Sequence, residues 1–299
     1  MTSIAMEKTP NWLEMPHEIM GGMILQRLGA VEILNSAQKV CTTWRRICKD
    51  PAMWKVIELD HYFDFWYEED DFEELSKQAV HRSCGELIDI SLKYFGTDDL
   101  LDFISQCSSK LNSLRLTKCY SITGNGLIHA LKRLPRLETL DLFYVSIDAE
   151  DIRVIGRSCP QLKSFKMKTR FMECDGDALA IANSMSALRH LQMFGSTMTD
   201  DGLQAILNGC PHLESLDVRR CFCVKLGGNL EKLCKERIKD FKFTPPPSNP
   251  LDDCGFSPGV YAHEDYEFSD SDSDEFYGDY DFIGGNAISS EDDFDNHSL

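Results

Sequence analysis

Leu137-Glu-Thr-Leu140-Asp-Leu142 is the stretch whose reading decides the fold, with leucine at its first, fourth and sixth places. Its last three residues alternate apolar and polar, as a half-buried strand does. The same pattern stands upstream as Leu87-Ile-Asp-Ile90-Ser-Leu92 and Leu111-Asn-Ser-Leu114-Arg-Leu116. Downstream it returns as Leu162-Lys-Ser-Phe165-Lys-Met167, Leu188-Arg-His-Leu191-Gln-Met193, Leu213-Glu-Ser-Leu216-Asp-Val218 and Ile238-Lys-Asp-Phe241-Lys-Phe243. First positions of successive copies are separated by 24, 26, 25, 26, 25 and 25 residues.

A near-constant period in this range is the signature of leucine-rich repeats. Between the strands lie segments with apolar residues at helical spacing, such as Gly126-Leu127-Ile-His-Ala130-Leu131, Asp151-Ile152-Arg-Val154-Ile155 and Gly202-Leu203-Gln-Ala205-Ile206-Leu207. They end at turns such as Cys159-Pro160 and Cys210-Pro211. Each unit is therefore a strand followed by a helix, and neither buries its apolar side alone. Stacking supplies the neighbour and places strands on the inside of an arc and helices outside. Cys119, Cys159, Cys210 and Cys221 recur at equivalent places, which favours burial over chemistry and resembles the cysteine-containing repeat subclass.

In such a strand the leucines face inward, and the residues between and just after them face the concave surface. Here these are Ser91, Lys93, Arg115, Thr117, Asp141, Phe143, Lys166, Lys168, Gln192, Phe194, Asp217 and Arg219. Cations beside exposed phenylalanines (Phe143, Phe194) have the composition of a protein-binding surface. A plain solvated sheet face is the alternative.

Upstream of the repeats, Asn11 to Trp54 reads as three short helices. Pro16 suits a first helical position. Ile19, Met20, Met23, Ile24 and Leu28 mark one face, and Gly29 ends that helix. A second helix carries Val31, Ile33 and Leu34. A third runs from about Ser36 with Ala37, Val40, Cys41, Trp44, Ile47 and Cys48 on one side, until Asp50-Pro51 stops it. Roughly forty residues in three helices bury little surface on their own, so the surplus of apolar residues implies a partner.

The order Met15-Pro16-x-Glu-Ile19, Ile24-Leu25-x-x-Leu28, Val40-Cys-x-x-Trp44-Arg and Pro51-x-Met-Trp54 resembles the F-box, with Met15-Pro16 where that family usually shows Leu-Pro. Together with the repeats, the chain resembles the plant F-box/leucine-rich-repeat group. The resemblance implies docking onto the Skp-type adaptor of an SCF ubiquitin ligase, and through it contact with cullin and RING subunits. The adaptor-facing residues would be Met15, Pro16, Ile19, Ile24, Leu25, Leu28, Val31, Leu34, Val40 and Trp44, with Trp44 partly a packing residue. The concave sheet would hold a protein to be ubiquitinated, and the chain would contribute proximity rather than covalent chemistry. The alternative from another class is a repeat scaffold that pairs with the adaptor outside a ligase. Gly21-Gly22 inside the first helix costs roughly 0.8–1 kcal/mol per glycine relative to alanine, so full helix formation there is expected to need the adaptor.

The expected architecture is thus α/β: a three-helix module over 11–55, a connecting segment or atypical first repeat over 56–86, repeats over 87–243, and an acidic tail over 244–299. Trp54-Lys-Val-Ile57-Glu-Leu59 reads as a further strand, and Phe72, Leu75, Ala79 and Val80 as a helix. Tyr62, Phe63, Phe65, Trp66 and Tyr67 between them are expected to cover the end of the core.

The net charge of −18 belongs to the tail. Residues 244–299 hold 15 Asp or Glu and no Lys or Arg, leaving 34 acids against 31 bases in the rest. No basic face for nucleic acid is expected. Pro245-Pro246-Pro247 ends regular structure, and the tail beyond is expected to be disordered. Ser269, Ser271 and Ser290 each precede an acid by three residues, the context of acid-directed phosphorylation. No apolar run reaches the roughly 18 residues of a membrane span, and no secretory leader is evident. The 12 cysteines are expected as free thiols in a reducing compartment, nucleus or cytoplasm. No metal or cofactor is expected. Among catalytic signatures, G-x-x-x-x-G-K-[ST], G-x-G-x-x-G, H-E-x-x-H and G-x-S-x-G do not occur.

Overall fold

The computed structural model describes residues 19–61, 69–168, 175–221 and 223–245. The expected disordered tail, its serines and the aromatic cluster Tyr62–Tyr67 lie outside them. Among the described residues, eight strands form one sheet in sequence order. They are β1 (Val56–Asp60), β2 (Asp89–Lys93), β3 (Ser113–Thr117), β4 (Thr139–Phe143), β5 (Ser164–Lys168), β6 (His190–Met193), β7 (Ser215–Val218) and β8 (Asp240–Phe243). Every neighbouring pair is parallel. Helices alternate with them: α1 (Glu69–Arg82), α2 (Asp98–Cys107), α3 (Gly124–Leu131), α4 (Ala149–Ser158), α5 (Gly176–Ser184), α6 (Asp200–Gly209) and α7 (Asn229–Arg237). The array is α/β, with helical turns before it, as the spacing implies.

The segment at Trp54–Leu59 is a true member of the sheet. Ile57 and Leu59 of β1 stand opposite Ile90 and Leu92 of β2 in the same register that Leu114 and Leu116 take one strand later. Val56 pairs with Asp89 but Asp89 pairs with Ser113, so the first unit is longer than those after it. Its helix α1 packs Phe72 at 4.6 Å, ring to ring, edge-on to Phe95, with His61 5.1 Å from Phe72 on its other contact.

Stacked parallel units need their helix starts satisfied, because the first N–H groups of each helix have no partner within it. Thr97, Thr123, Asp148 and Thr199 cap their own helices. A carboxylate from one unit also reaches the cap of the next. Asp98 accepts from the N–H and hydroxyl of Thr123 (2.8 and 2.7 Å), and Asp175 does the same for Thr199 (2.8 and 2.8 Å). Asp200 accepts from the N–H groups of Lys225, Leu226 and Gly227. Where helices meet, side chains give way to backbone. A Cβ on Gly209 of α6 would stand 2.1 Å from the Ala182 carbonyl of α5, so only glycine fits.

The cysteines occupy two repeat positions rather than one. Cys119 and Cys221 follow strands and donate their thiols to Leu92 and Met193 carbonyls of the preceding unit. Cys159 and Cys210 end helices α4 and α6. All four are buried.

The N-terminal module departs from three plain helices. A wide π-type turn (Met20–Ile24) passes into a tight 3₁₀ turn (Leu25–Leu28), and Gly29 at φ +79° ends it as expected. Helical turns then continue through Gly29–Glu32, Ile33–Ala37 and Gln38–Val40. The expected third helix is interrupted at Cys41, whose extended backbone (φ −157°, ψ 171°) starts a separate helix, Thr42–Ile47. The reason is local: Cys41 acts as its N-cap, its sulfur accepting the Trp44 N–H at 3.4 Å. The two glycines also differ. Gly21 is buried, and a Cβ there would press on Met53 and Ile47 (3.0 and 3.1 Å), whereas Gly22 meets nothing within 4 Å. One glycine permits close packing and the other only weakens the helix.

Candidate functional site

Two surfaces carry the residues singled out from sequence, and one side chain ties them together. Arg82, at the end of α1, donates to the Cys48 carbonyl (3.1 Å) and to Oε1 of Gln38 (2.8 Å). Its guanidinium lies 5.7 Å from the centre of the Trp54 ring, and the Trp54 indole N–H donates to that same Cys48 carbonyl at 2.9 Å. Burial pulls the Arg82 pKa below its usual value, partly offset by Cys48. The helical module is thereby fixed to the first repeat through backbone and charge, not only through apolar packing.

On the module, aliphatic side chains stand in water. Ile19 is 41% exposed, Met23 60%, Leu28 43% and Val40 63%. Ile24, Val31 and Trp44 are half-buried against the core. Leu25 and Leu34, expected to face an adaptor, are instead buried and belong to the core. The tight turn after Ile24 rotates Leu25 inward, and the helical run after Gly29 carries Leu34 to the same side. Met23 was not among the expected contacts although it belongs to the same apolar series as Ile19. Met15 and Pro16 lie outside the described residues.

The open sheet face has two rows with different chemistry. The first runs in register through Glu58, Ser91, Arg115, Asp141, Lys166, Gln192, Asp217 and Lys242. Its charges alternate in sign and are paired, one pair within the row and others with Asp89 and Arg219 beside it. Arg115 reaches Asp89 at 2.5 Å, Lys166 reaches Asp141 at 3.6 Å, and Asp217 is held by Arg219 through three contacts of 2.7 to 3.1 Å. Burial lowers the Arg115 pKa, but Asp89 outweighs it and the guanidinium stays above its usual value. Asp141, Gln192 and Asp217, expected as contact residues, are more than nine-tenths buried between their strand neighbours. Each side chain in a parallel ladder is flanked by two others, which sequence spacing does not reveal.

The second row lies at the strand ends. Lys93 pairs with Asp60 at 3.6 Å. Just past the strands, Tyr94, Lys118, Tyr144 and Arg220 all adopt positive φ (67°, 55°, 59° and 59°), and Gly195 takes the same place. That conformation is uncommon for residues with a side chain, and here it aims rings and cations at each other. Lys118 sits 4.9 Å from the Tyr94 ring centre. Lys168 lies 4.6 Å from the Tyr144 ring and 5.1 Å from that of Phe194, and Arg220 lies 5.6 Å from Phe194. Phe143 and Phe194, expected to be exposed, are half-buried; Phe194 is covered by these cations. Tyr94, Lys118, Tyr144 and Arg220 were missed, and the signal for them was their common place seven residues after Leu87, Leu111, Leu137 and Leu213. Burial pushes the Cys119 and Cys221 thiols up to about 12, which keeps them protonated.

A set of helical turns with uncovered aliphatics, anchored to a leucine-rich-repeat sheet, defines a two-faced binding protein. Family models agree: the F-box-like model matches residues 12–60, and the model for the LRR repeats of FBD-associated F-box protein At5g56370 matches residues 165–234. F-box protein SKIP19 of Arabidopsis thaliana is 46% identical over 294 residues, covering 96% of this chain and 95% of that protein. Putative F-box/LRR-repeat protein 23 of the same plant is 47% identical over 242 residues, 79% of this chain and 54% of that relative, so the chain spans about half its length. Among solved structures, the leucine-rich repeat-containing protein LegL7 of Legionella pneumophila overlaps 56% of this chain and 57% of its own at 13% identity, with a TM-score of 0.41. The chain belongs to the F-box/leucine-rich-repeat proteins.

Proposed function

We propose that this protein is a substrate receptor of an SCF-type ubiquitin ligase. The observation that carries the reading is the exposure of Ile19, Met23, Leu28 and Val40 on one short helical module, because several exposed aliphatics on so small a module mark a binding surface. Its occupant is a Skp-type adaptor, which brings the cullin and RING subunits. The sheet face takes the protein to be modified. The receptor supplies no covalent chemistry. It holds target lysines near a charged carrier enzyme, where effective concentration sets the rate. Such a role gains from the Arg82 clamp, since a fixed geometry between adaptor and target limits the volume the target explores. The expected setting is the nucleus or cytoplasm, where these assemblies work.

Affinity capture of the full chain from its own cells tests the reading. The expected result is co-purification of both the adaptor and a cullin, with both lost in a Met23→Asp/Val40→Asp variant. Recovery of the adaptor without a cullin would contradict a ligase role and leave a scaffold.

A further inference from the structure

The helical module carries a charge that its own packing does not use. Residues 1–55 hold 7 Lys or Arg against 5 Asp or Glu, a surplus of cations, whereas the whole chain carries −18. Along the array, cations commonly lie on carboxylates: Lys110 on Glu86 at 2.6 Å, Lys163 on Glu138 at 2.7 Å and Lys235 on Glu231 at 2.6 Å. On the module, Arg27, Lys39, Arg45, Arg46 and Lys49 are all exposed. Among the described residues none of these five has an ion-pair partner.

Three of these cations stand beside the exposed aliphatics. Arg27 precedes Leu28 and Lys39 precedes Val40, and all four residues are exposed. Arg45 joins them through space, because its Nε donates to the carbonyl of Gln38, the residue before Lys39, at 3.2 Å. Gln38 is itself fixed, its amide donating to the Leu34 carbonyl and its Oε1 accepting from Arg82. The bond to Gln38 holds Arg45 in place and uses one of the five N–H groups of its guanidinium. Like charges gathered in one module repel each other, and an acidic partner relieves that repulsion. An anionic membrane also takes cations mixed with aliphatics, but membrane-surface helices show one long apolar face bearing Trp, Phe or Leu. Here the helical geometry is broken from turn to turn, and Trp44 and Trp54 pack against the core.

We infer that Arg27, Lys39 and Arg45 steer onto the exposed aliphatics a protein partner whose contact surface is acidic around an apolar centre. This rests on the substrate-receptor reading and adds to it the charge that the adaptor presents. The aliphatics then set how long the complex lasts and the cations how fast it forms, since charges at the rim act on the association rate and its salt dependence.

The experiment is surface plasmon resonance of purified Skp-type adaptor on the immobilised full chain, at roughly 50 and 500 mM salt. The intact chain is compared with Arg27→Gln/Lys39→Gln/Arg45→Gln. At the lower salt the intact chain is expected to associate about tenfold faster than this variant. At the higher salt the two rates are expected to converge, and the dissociation rates to stay close at both. The charge-keeping variant Arg27→Lys/Lys39→Arg/Arg45→Lys is expected to regain the fast association, which a role in shape or packing alone would not allow. Equal association rates at low salt would overturn the inference, as would a difference that persists at high salt. Capture of the intact chain on phosphatidylserine vesicles, lost in the Gln variant, would assign the cations to a membrane and also overturn it. Adaptor binding with equal rates leaves the receptor reading standing and removes the steering alone. No adaptor binding at either salt contradicts the receptor reading itself and takes the steering with it.

Discussion

The helical module and the repeat array solve the same problem, burying apolar surface, in opposite ways. In the array, each unit hides its strand aliphatics against the next. Leu114, Leu140, Phe165, Leu191 and Leu216 follow one another along the sheet, all 2% exposed or less, and apolar side chains such as Ile88 and Leu179 stay exposed only singly, in different units. In the module, helical geometry changes twice between Met20 and Glu32, and Met23 and Val40 stay in water. A repeat can always add a neighbour of its own kind, whereas a short bundle cannot. The array is complete along its length, and the module is half of an interface.

The largest effect that would break this contrast lies in the array. Phe165→Ala empties a fully buried position in β5 and is expected to cost about 3–5 kcal/mol, read by denaturant unfolding of the full chain. A small loss there would mean the stacked core is not continuous.

Next is the connection between the two regions. Arg82→Met removes charged hydrogen bonds to Cys48 and Gln38 worth about 1.5–3 kcal/mol. Hydrogen exchange is expected to quicken across residues 38–54 while β3 to β7 stay protected. Uniform loss of protection would show that module and array unfold as one and that the clamp is not a separate element.

A smaller effect concerns the carboxylate ladder between units. Burial raises the Asp200 pKa, but donations from Gly227, Lys225 and Leu226 outweigh it, so the folded value lies below the usual one. A carboxylate depressed on folding stabilises in full above its unfolded pKa of about 4. That stability is lost as pH falls through the lower folded value. Asp200→Asn is expected to cost about 1–2 kcal/mol at neutral pH and to flatten the acid limb of stability. An unchanged acid limb would remove Asp200 from the account.

The smallest effect sharpens the module. Gly22→Ala is expected to stabilise by up to about 1 kcal/mol, while Gly21→Ala, which would press on Met53 and Ile47, destabilises. Thermal melts of the two variants moving in the same direction would contradict the packing described for the first turn.

These regions were also unequally legible in the sequence. Strand positions in the array follow from leucine spacing, because a period of about 25 residues repeated seven times fixes register by itself. Even the longer first unit carried the apolar pattern at Ile57 and Leu59. The module offers one copy of each turn. Helical periodicity there identifies apolar positions but not which of them a wide or tight turn rotates inward, so Leu25 and Leu34 were placed on the surface and Met23 was passed over. On the sheet face, strand alternation found the row containing Lys166 and Gln192. It did not find Tyr144 or Arg220, whose side chains are aimed by positive φ past the strand end, where alternation no longer applies.

The most direct test of the whole account is calorimetric titration of purified Skp-type adaptor into the full chain and into Met23→Asp/Val40→Asp. The intact chain is expected to bind. The double variant is expected to lose at least about 2 kcal/mol of affinity with an unchanged melting temperature, because both side chains already stand in water. No binding by the intact chain, or equal binding by the variant, would contradict the claim that this uncovered face is half of an interface.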